Sequence, residues 1–172
     1  FDYRETSGNG TLLDSETNQF SDIKGMSLSF VPIYDGIYYD AQFSKGKTNY
    51  IGDVIGGNHY GNVRSLTENT LSNYEFGYKM NRFISYKLSM PLSIGFGYRS
   101  WLRSLQSTST IQGYDEKYDW KYLTIGTGYH YTLNTNASLG LEFNYKKAFD
   151  SKMSENWHNS TFELNNVEGY SI

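Results

Sequence analysis

The chain of 172 residues contains no cysteine and only two prolines. Without cysteine it has no disulfide framework and no thiolate metal site. No apolar run reaches the roughly 18 residues that a membrane-crossing helix requires, which excludes that class. The net charge of −3 is small and no basic run is present, so a nucleic-acid partner is not expected.

Aromatic residues and glycine are abundant, with 17 Tyr, 10 Phe and 17 Gly. This composition favours strands joined by turns over helices. The length suits one domain, which we place over residues 1–172. Because the chain begins at Phe1 rather than Met, we expect a mature form without its signal peptide, or an excised piece.

Apolar and polar residues alternate with a period of two in six segments, while no segment has a convincing helical period. In Ala137–Lys147, for example, Leu139, Leu141 and Phe143 face away from Gly140 and Glu142. Together with two weaker segments at the ends, this predicts an all-β chain of about eight strands. The predicted strands are Phe1–Thr6, Lys24–Val31, Ile37–Lys45, Leu71–Lys79, Leu92–Arg103, Tyr114–Tyr131, Ala137–Lys147 and Phe162–Ile172.

The polar faces of these strands mix small residues with charges of both signs. Such a face suits the inside of a narrow barrel, where few long side chains fit and each charge needs a partner. The apolar faces, which carry many tyrosines, would then look outward to lipid. We expect the inner polar network, either a static filling or a binding and relay site, to comprise Asp40, Glu75, Lys79, Arg99, His130, Glu142 and Lys146.

Short and long connections alternate along the chain. Tight or modest links are predicted at residues 34–36, 80–90 and 133–136, and long polar ones at 8–22, 46–68, 104–113 and 149–166. This favours a single antiparallel up-and-down β-barrel, with short turns at one end and long loops at the other. The short last segment leaves two alternatives open, namely further strands in the parent protein or completion by another chain.

The segments Gly95-Phe96-Gly97-Tyr98-Arg99 and Ile125-Gly126-Thr127-Gly128-Tyr129 resemble strands of small outer-membrane barrels of the OmpA-like and opacity-type families. The resemblance implies a Gram-negative outer-membrane location, with the bilayer and lipopolysaccharide as partners. It also implies extracellular loops that bind a ligand or protect the surface, without a cofactor or metal.

Two further groups suggest more specific functions. His130-Tyr131-Thr132 with Glu142 is similar to the catalytic set of lipid A deacylase barrels, but Thr replaces Ser and His130 is predicted to face inward, so we expect no enzyme. The second group is a predicted surface patch that binds sugars or lipid head groups, because aromatic rings offer flat contacts and Arg pairs with phosphate. This predicted patch consists of Trp101, Arg103, Tyr114, Tyr118 and Trp120.

Two other non-enzymatic functions compete with an outer-membrane barrel. One is a soluble ligand-binding barrel of lipocalin type, with Tyr and Phe lining a cavity. The other is a self-assembling extracellular subunit, because an unpaired last strand accepts a neighbour's strand.

Overall fold

The computed structural model describes residues 2–6, 12–17, 23–52, 63–109, 112–135, 137–156, 160–164 and 168–171. All regular structure in these ranges is β, and every pairing is antiparallel. Within the same ranges, no helix has the length and apolarity to cross a bilayer. The strands are β1 (Asp2–Thr6), β2 (Leu12–Thr17), β3 (Lys24–Phe30), β4 (Gly36–Gly52), β5 (Val63–Phe83), β6 (Leu88–Leu105), β7 (Asp115–Asn134), β8 (Ala137–Glu155), β9 (Ser160–Leu164) and β10 (Glu168–Ser171).

The strands form one sheet in which neighbours in the sequence are neighbours in space. The order is β1-β2-β4-β5-β6-β7-β8-β10. Strand β3 pairs with β4 beside β2, and β9 pairs with β8 beside β10, so each of these short strands shares a position in the sheet. Consecutive antiparallel strands joined by short links need no crossover, which explains this simple order.

The all-β antiparallel prediction is confirmed, but several predicted boundaries are wrong. Strands β4, β5 and β8 continue well into stretches that we predicted to be long loops, and β2 lies within the predicted loop 8–22. The apolar alternation stops in these stretches, whereas the backbone pairing continues, as between residues 46–52 and 63–69. The β4–β5 link, residues 53–62, lies outside the described residues.

One face of the sheet is buried and almost entirely polar. Among the described residues, the buried apolar side chains are few, namely Tyr38, Tyr50, Pro91 and Tyr122. The buried polar and charged side chains are more numerous, namely Thr48, Thr67, Asn69, Asn73, Glu75, Lys79, Arg103, Thr124 and Ser151. We call this the buried face, and its opposite the outer face.

The sheet curls around the buried face. Lys79 on β5 is 2.7 Å from Glu142 on β8, and Lys146 on β8 is 2.7 Å from Glu75 on β5. In a flat sheet, strands three positions apart are separated by about 14 Å. Contacts across such a separation require curvature, together with small residues on the strands between.

Two backbone edges are open at the short-turn end of the sheet. Within the described residues, β3 pairs on one side only, and residues Ala137–Phe143 of β8 pair only with β7. No pairing among these residues joins β1 to β10. Hydrogen bonding therefore does not close the described sheet.

Glycines on the buried face make room for two tyrosine rings. A Cβ on Gly97 would overlap the ring of Tyr122, and one on Gly95 would overlap the hydroxyl of Tyr38. Tyr122 is 2 % exposed, so its ring has little freedom to move aside. The missing side chains on β6 are therefore a packing requirement of the neighbouring strands.

We predict that Gly97→Ala lowers the free energy of unfolding by about 1–3 kcal/mol, because a methyl group would overfill the space beside Tyr122. Urea titration measures this change. At a strand position without such a contact, replacing glycine by alanine is neutral or stabilising. Gly97→Ala should cost less in a Tyr122→Leu background than in the wild type, and an equal cost in both backgrounds would contradict the packing argument.

Candidate functional site: the polar buried face and the apolar outer face

Glu75 is the centre of the largest polar cluster on the buried face. Its Oε1 accepts a hydrogen bond of 2.9 Å from Tyr38, and its Oε2 accepts one of 2.9 Å from Tyr122. The ammonium group of Lys146 lies 2.7 Å from Oε2. A buried carboxylate is stable only when its oxygens are bonded in this way, so these three partners account for its presence.

Asn73 connects this cluster to a basic residue. Its Oδ1 accepts hydrogen bonds from Tyr122 at 2.9 Å and from Arg99 at 3.1 Å. The Arg99 guanidinium lies 5.8 Å from the ring centroid of Trp120. The chain of contacts from Lys146 to Trp120 thus spans β8, β5, β7 and β6.

A second cluster lies nearer the short turns. Glu142 Oε1 is 2.7 Å from Lys79 Nζ and 2.8 Å from His130 Nε2. Lys79 is buried, whereas Glu142 and His130 remain partly exposed. Lys79 and His130 together hold the Glu142 carboxylate in place.

The structure therefore brings together six of the seven residues predicted for the inner network, in two clusters. The seventh, Asp40, instead accepts a hydrogen bond from Ser29 on β3. None of these contacts tests a binding role, which remains a prediction.

The hydrolase-like set is only partly assembled. His130 contacts Glu142, as we expected for an inward-facing histidine. Its Nε2 is engaged with that carboxylate, and Thr132 is exposed. In the described part of the chain, the two residues share no hydrogen bond, so the hydroxyl has no adjacent base of the kind that nucleophilic catalysis needs.

The predicted surface patch is wrong for its central residue. Arg103 is 4 % exposed and forms an ion pair with Glu116. Its guanidinium lies 5.5 Å from the ring of Trp101, which stacks on Tyr118 with 5.2 Å between centroids. These side chains belong to the buried face because they continue the parity of Arg99, two and four residues further along β6.

The other two patch residues are partly buried. Trp120 lies beside Arg99, and Tyr114 lies next to the start of β7. The five residues therefore form no outward-facing platform, and their polar atoms serve contacts within the sheet, such as the 2.7 Å hydrogen bond from Trp101 to Asn69.

The sequence analysis missed residues that complete these clusters. Tyr38 and Tyr122 share the parity of the predicted network residues on their strands but were not included in the network, and Asn69 and Asn73 were also left out. The available signal was parity, since each lies an even number of residues from a predicted network member on its own strand. The predicted network residues were chosen because they are titratable. Neutral hydrogen-bond donors and acceptors cannot be recognised in that way.

The outer face carries a continuous group of exposed large apolar side chains, which we call the apolar band. On β8, Leu139 and Leu141 are 68 % and 63 % exposed, and on β7 Ile125 is 61 % exposed. Across β3 to β8 the apolar band comprises Met26, Leu28, Phe30, Ile37, Tyr39, Phe43, Tyr74, Phe76, Tyr78, Ile94, Leu123, Ile125, Tyr129, Tyr131, Leu139, Leu141 and Phe143.

The apolar band runs obliquely across the hydrogen-bonded rows. The row that contains Tyr39 of β4 reaches β8 at Lys147. On β8 the band is centred near Leu141 and Phe143, about five residues from Lys147. At ~3.3 Å per residue and ~4.8 Å per strand, a shift of this size over four strands corresponds to a slope of roughly 40°.

Charged side chains replace apolar ones on the outer face toward the β4–β5, β6–β7 and β8–β9 links. Lys45 follows Phe43 on β4, and Lys121 precedes Leu123 on β7. Both lysines are exposed and form ion pairs, with Glu68 at 3.2 Å and with Asp150 at 2.7 Å. The outer face is thus divided into an apolar part and a part that carries these charges together with the exposed Leu66, Leu102 and Phe149.

Comparisons of the chain with protein-family models, with curated proteins and with solved structures found no match. In the ranges that the structure describes, no group of three or more His, Asp or Glu side chains is placed to hold a metal ion.

We predict that Glu75→Gln lowers the free energy of unfolding by about 2–3 kcal/mol, because Lys146 loses the carboxylate that balances its charge. Adding Lys146→Met should recover much of the loss, since the unbalanced cation is then removed. Urea unfolding of the single and double variants measures both effects.

The control for this cycle is Glu68→Gln on the outer face, where exposed ion pairs contribute little. Equal losses for Glu75→Gln and Glu68→Gln, or no recovery in the double variant, would show that the Glu75 cluster is not what stabilises the buried face.

Proposed function

We propose that this chain is an eight-stranded antiparallel β-barrel of the bacterial outer membrane, with a filled polar interior and a non-enzymatic role. Its outer face contacts the bilayer and lipopolysaccharide. The links at the charged end of the strands, β4–β5, β6–β7 and β8–β9, form the extracellular surface. In this proposal those links bind an extracellular ligand or form a protective layer.

The observation that carries the proposal is the inverted distribution of polarity. A protein dissolved in water rarely exposes a continuous apolar surface of more than a few hundred Å². In a membrane barrel, hydrocarbon contacts the apolar wall while polar side chains fill the inside. The exposed Ile125 and Leu141 opposite the buried Glu75 and Lys79 correspond to that arrangement.

The slope of the apolar band supports the same proposal. Strands of membrane barrels are tilted by ~35–45°, so a belt of constant height crosses their hydrogen-bonded rows at the same angle. The roughly 40° slope of the band agrees with this tilt. A solvent-exposed sheet has no physical reason to align its apolar residues in this way.

Closure of the barrel is supported by strand direction and curvature. Each step along the order β1-β2-β4-β5-β6-β7-β8-β10 reverses direction. Its eight positions therefore place β1 and β10 antiparallel, as an up-and-down barrel requires. The contacts between β5 and β8 give the sheet a tight curl, and a barrel of eight strands is narrow enough for side chains to fill it.

The lipocalin-like alternative receives less support. It requires phenylalanine and tyrosine around an internal cavity, but Phe43, Phe76 and Phe143 are exposed on the outer face. The buried tyrosine rings of Tyr38 and Tyr122 direct their hydroxyls into the Glu75 cluster instead. A lipid A hydrolase is supported less still, because the His130 contacts do not include Thr132.

We predict that Ile125→Arg prevents folding into lipid vesicles, because a charge at the centre of the apolar band costs about 2–4 kcal/mol in hydrocarbon. The matched control is Leu102→Arg, which is also on the outer face but lies among the charged residues and should fold normally. Folding is read from protease protection and from the shift of the unheated protein in gel electrophoresis.

The two arginine variants also test the alternative. In a water-soluble barrel both positions face solvent, so both variants would fold equally well. That result, or folding of the wild type in detergent-free buffer without vesicles, would contradict the membrane proposal.

The open edges of β3 and β8 favour a second candidate, a subunit that assembles by strand pairing. In the described residues, each edge carries unpaired backbone donors and acceptors beside exposed apolar side chains. Such edges readily accept a strand from another chain. The direction of β3 is opposite to that of β8, so the edge of one copy can continue the sheet of the next.

Because the chain lacks cysteine, this candidate can be tested by cross-linking. We predict that the double variant Leu28→Cys, Leu139→Cys, whose two positions lie on the same outer face, gives a monomer under oxidising conditions in detergent if one chain forms its own barrel. A ladder of disulfide-linked multimers that grows with protein concentration would instead favour assembly. The two single variants control for random oxidation between exposed thiols.

A further inference from the structure

Two ion-pair clusters of the same composition lie on the outer face. In the first, Glu68 contacts Lys45 at 3.2 Å and Lys47 at 3.6 Å. In the second, Asp150 contacts Lys121 at 2.7 Å and Lys152 at 3.3 Å. We call them the β4–β5 cluster and the β7–β8 cluster, and each has two ammonium groups for one carboxylate.

Both clusters therefore carry a net positive charge in a chain whose total charge is −3. The hydrogen bond from Lys45 holds the pKa of Glu68 below its ordinary value, and the hydrogen bonds from Lys121 and Lys152 do the same for the pKa of Asp150. Both carboxylates thus stay ionised at neutral pH, and each cluster by itself has one more lysine than carboxylate. Opposite Lys152 in the β7–β8 cluster lie Asp119, which pairs with Lys117, and Glu163.

The clusters begin where the apolar band ends. Lys45 lies two residues beyond Phe43, and Lys121 lies two residues beyond Leu123, on the same faces of their strands. Two residues along a strand tilted by roughly 40° raise a side chain about 5 Å above the last apolar one. The head-group layer of a bilayer occupies this height, immediately outside the hydrocarbon core.

All four lysine side chains are about half exposed, with 48–55 % of their surface accessible. The shared carboxylate keeps each pair of ammonium groups close together. Ammonium groups donate up to three hydrogen bonds each, and one carboxylate does not use them all. A phosphate group that approaches from the lipid side can therefore contact two cations at once.

We infer that the β4–β5 and β7–β8 clusters bind the phosphate groups of anionic lipids in the leaflet that surrounds the charged end of the protein. This inference rests on the proposed membrane location and assigns a ligand class to the margin of the apolar band. Lipid-borne phosphate is the occupant because the adjacent apolar side chains hold acyl chains at the same place.

The test uses the full chain in phosphatidylcholine vesicles and measures its relative affinity for spin-labelled lipids by electron paramagnetic resonance. We expect the wild type to prefer phosphatidylglycerol and phosphatidic acid over phosphatidylcholine by roughly three- to fivefold, since basic residues near the surface attract anionic lipids. The fourfold variant Lys45→Gln, Lys47→Gln, Lys121→Gln, Lys152→Gln should reduce this preference to about one.

Two further variants serve as controls. Replacing the same four lysines by arginine keeps all four positive charges, so the anionic preference should persist. Lys87→Gln changes a lysine in the β5–β6 turn, at the other end of the protein, and should leave the preference unchanged. A decrease in the first variant, or a loss in the second equal to that of the fourfold variant, would overturn the assignment.

The outcomes of this experiment distinguish failure of this inference from failure of the proposed function. No insertion into any vesicle would refute both, whereas insertion without anionic preference would refute the lipid-phosphate site alone. Inorganic phosphate added at the concentration of the labelled lipid should not remove the preference. If it does, the site recognises free phosphate and not a lipid.

Discussion

The structure depends on the pairing of buried charges. Glu75 and Lys79 are each 8 % exposed, and a charge at such a site is tolerated only when hydrogen bonds and an opposite charge replace water. Lys146 and Glu142 supply the opposite charges from β8, three strands away. Because the partners lie on distant strands, these ion pairs form only when the sheet curls.

This constraint also explains the outer face. The buried face is filled mainly by polar side chains, tyrosine rings and small residues, and most Leu, Ile and Phe side chains lie on the opposite face. Alternation then places those residues outside, because successive side chains of a strand point to opposite faces. The apolar band is therefore a direct consequence of the same sequence pattern that produces the polar clusters.

Much of the fold and part of the candidate site could be predicted from the sequence. Alternation alone predicted β3, β7 and the first half of β8. It also assigned Ile125 and Leu141 to the face opposite Glu142. It could not show how far β4 and β5 continue, because Lys47 and Glu68 face solvent there and the apolar signal ends while backbone pairing persists.

The composition of the polar clusters was harder to predict. Charged residues marked Glu75 and Lys146, but nothing in the sequence indicates that Tyr122 donates to Glu75 across two strands. Arg103 was assigned to the surface because its neighbours are aromatic, although its parity with Arg99 placed it inside. Pairings across the sheet depend on curvature, which a local pattern does not contain.

The contact between Gly97 and Tyr122 has a consequence for divergence among descendants of this sequence. The Tyr122 ring occupies the space where a side chain at position 97 would lie, so the two positions share one volume. A substitution that enlarges one of these side chains requires a smaller side chain at the other. Size at these two sites should therefore vary inversely, while their sum stays nearly constant.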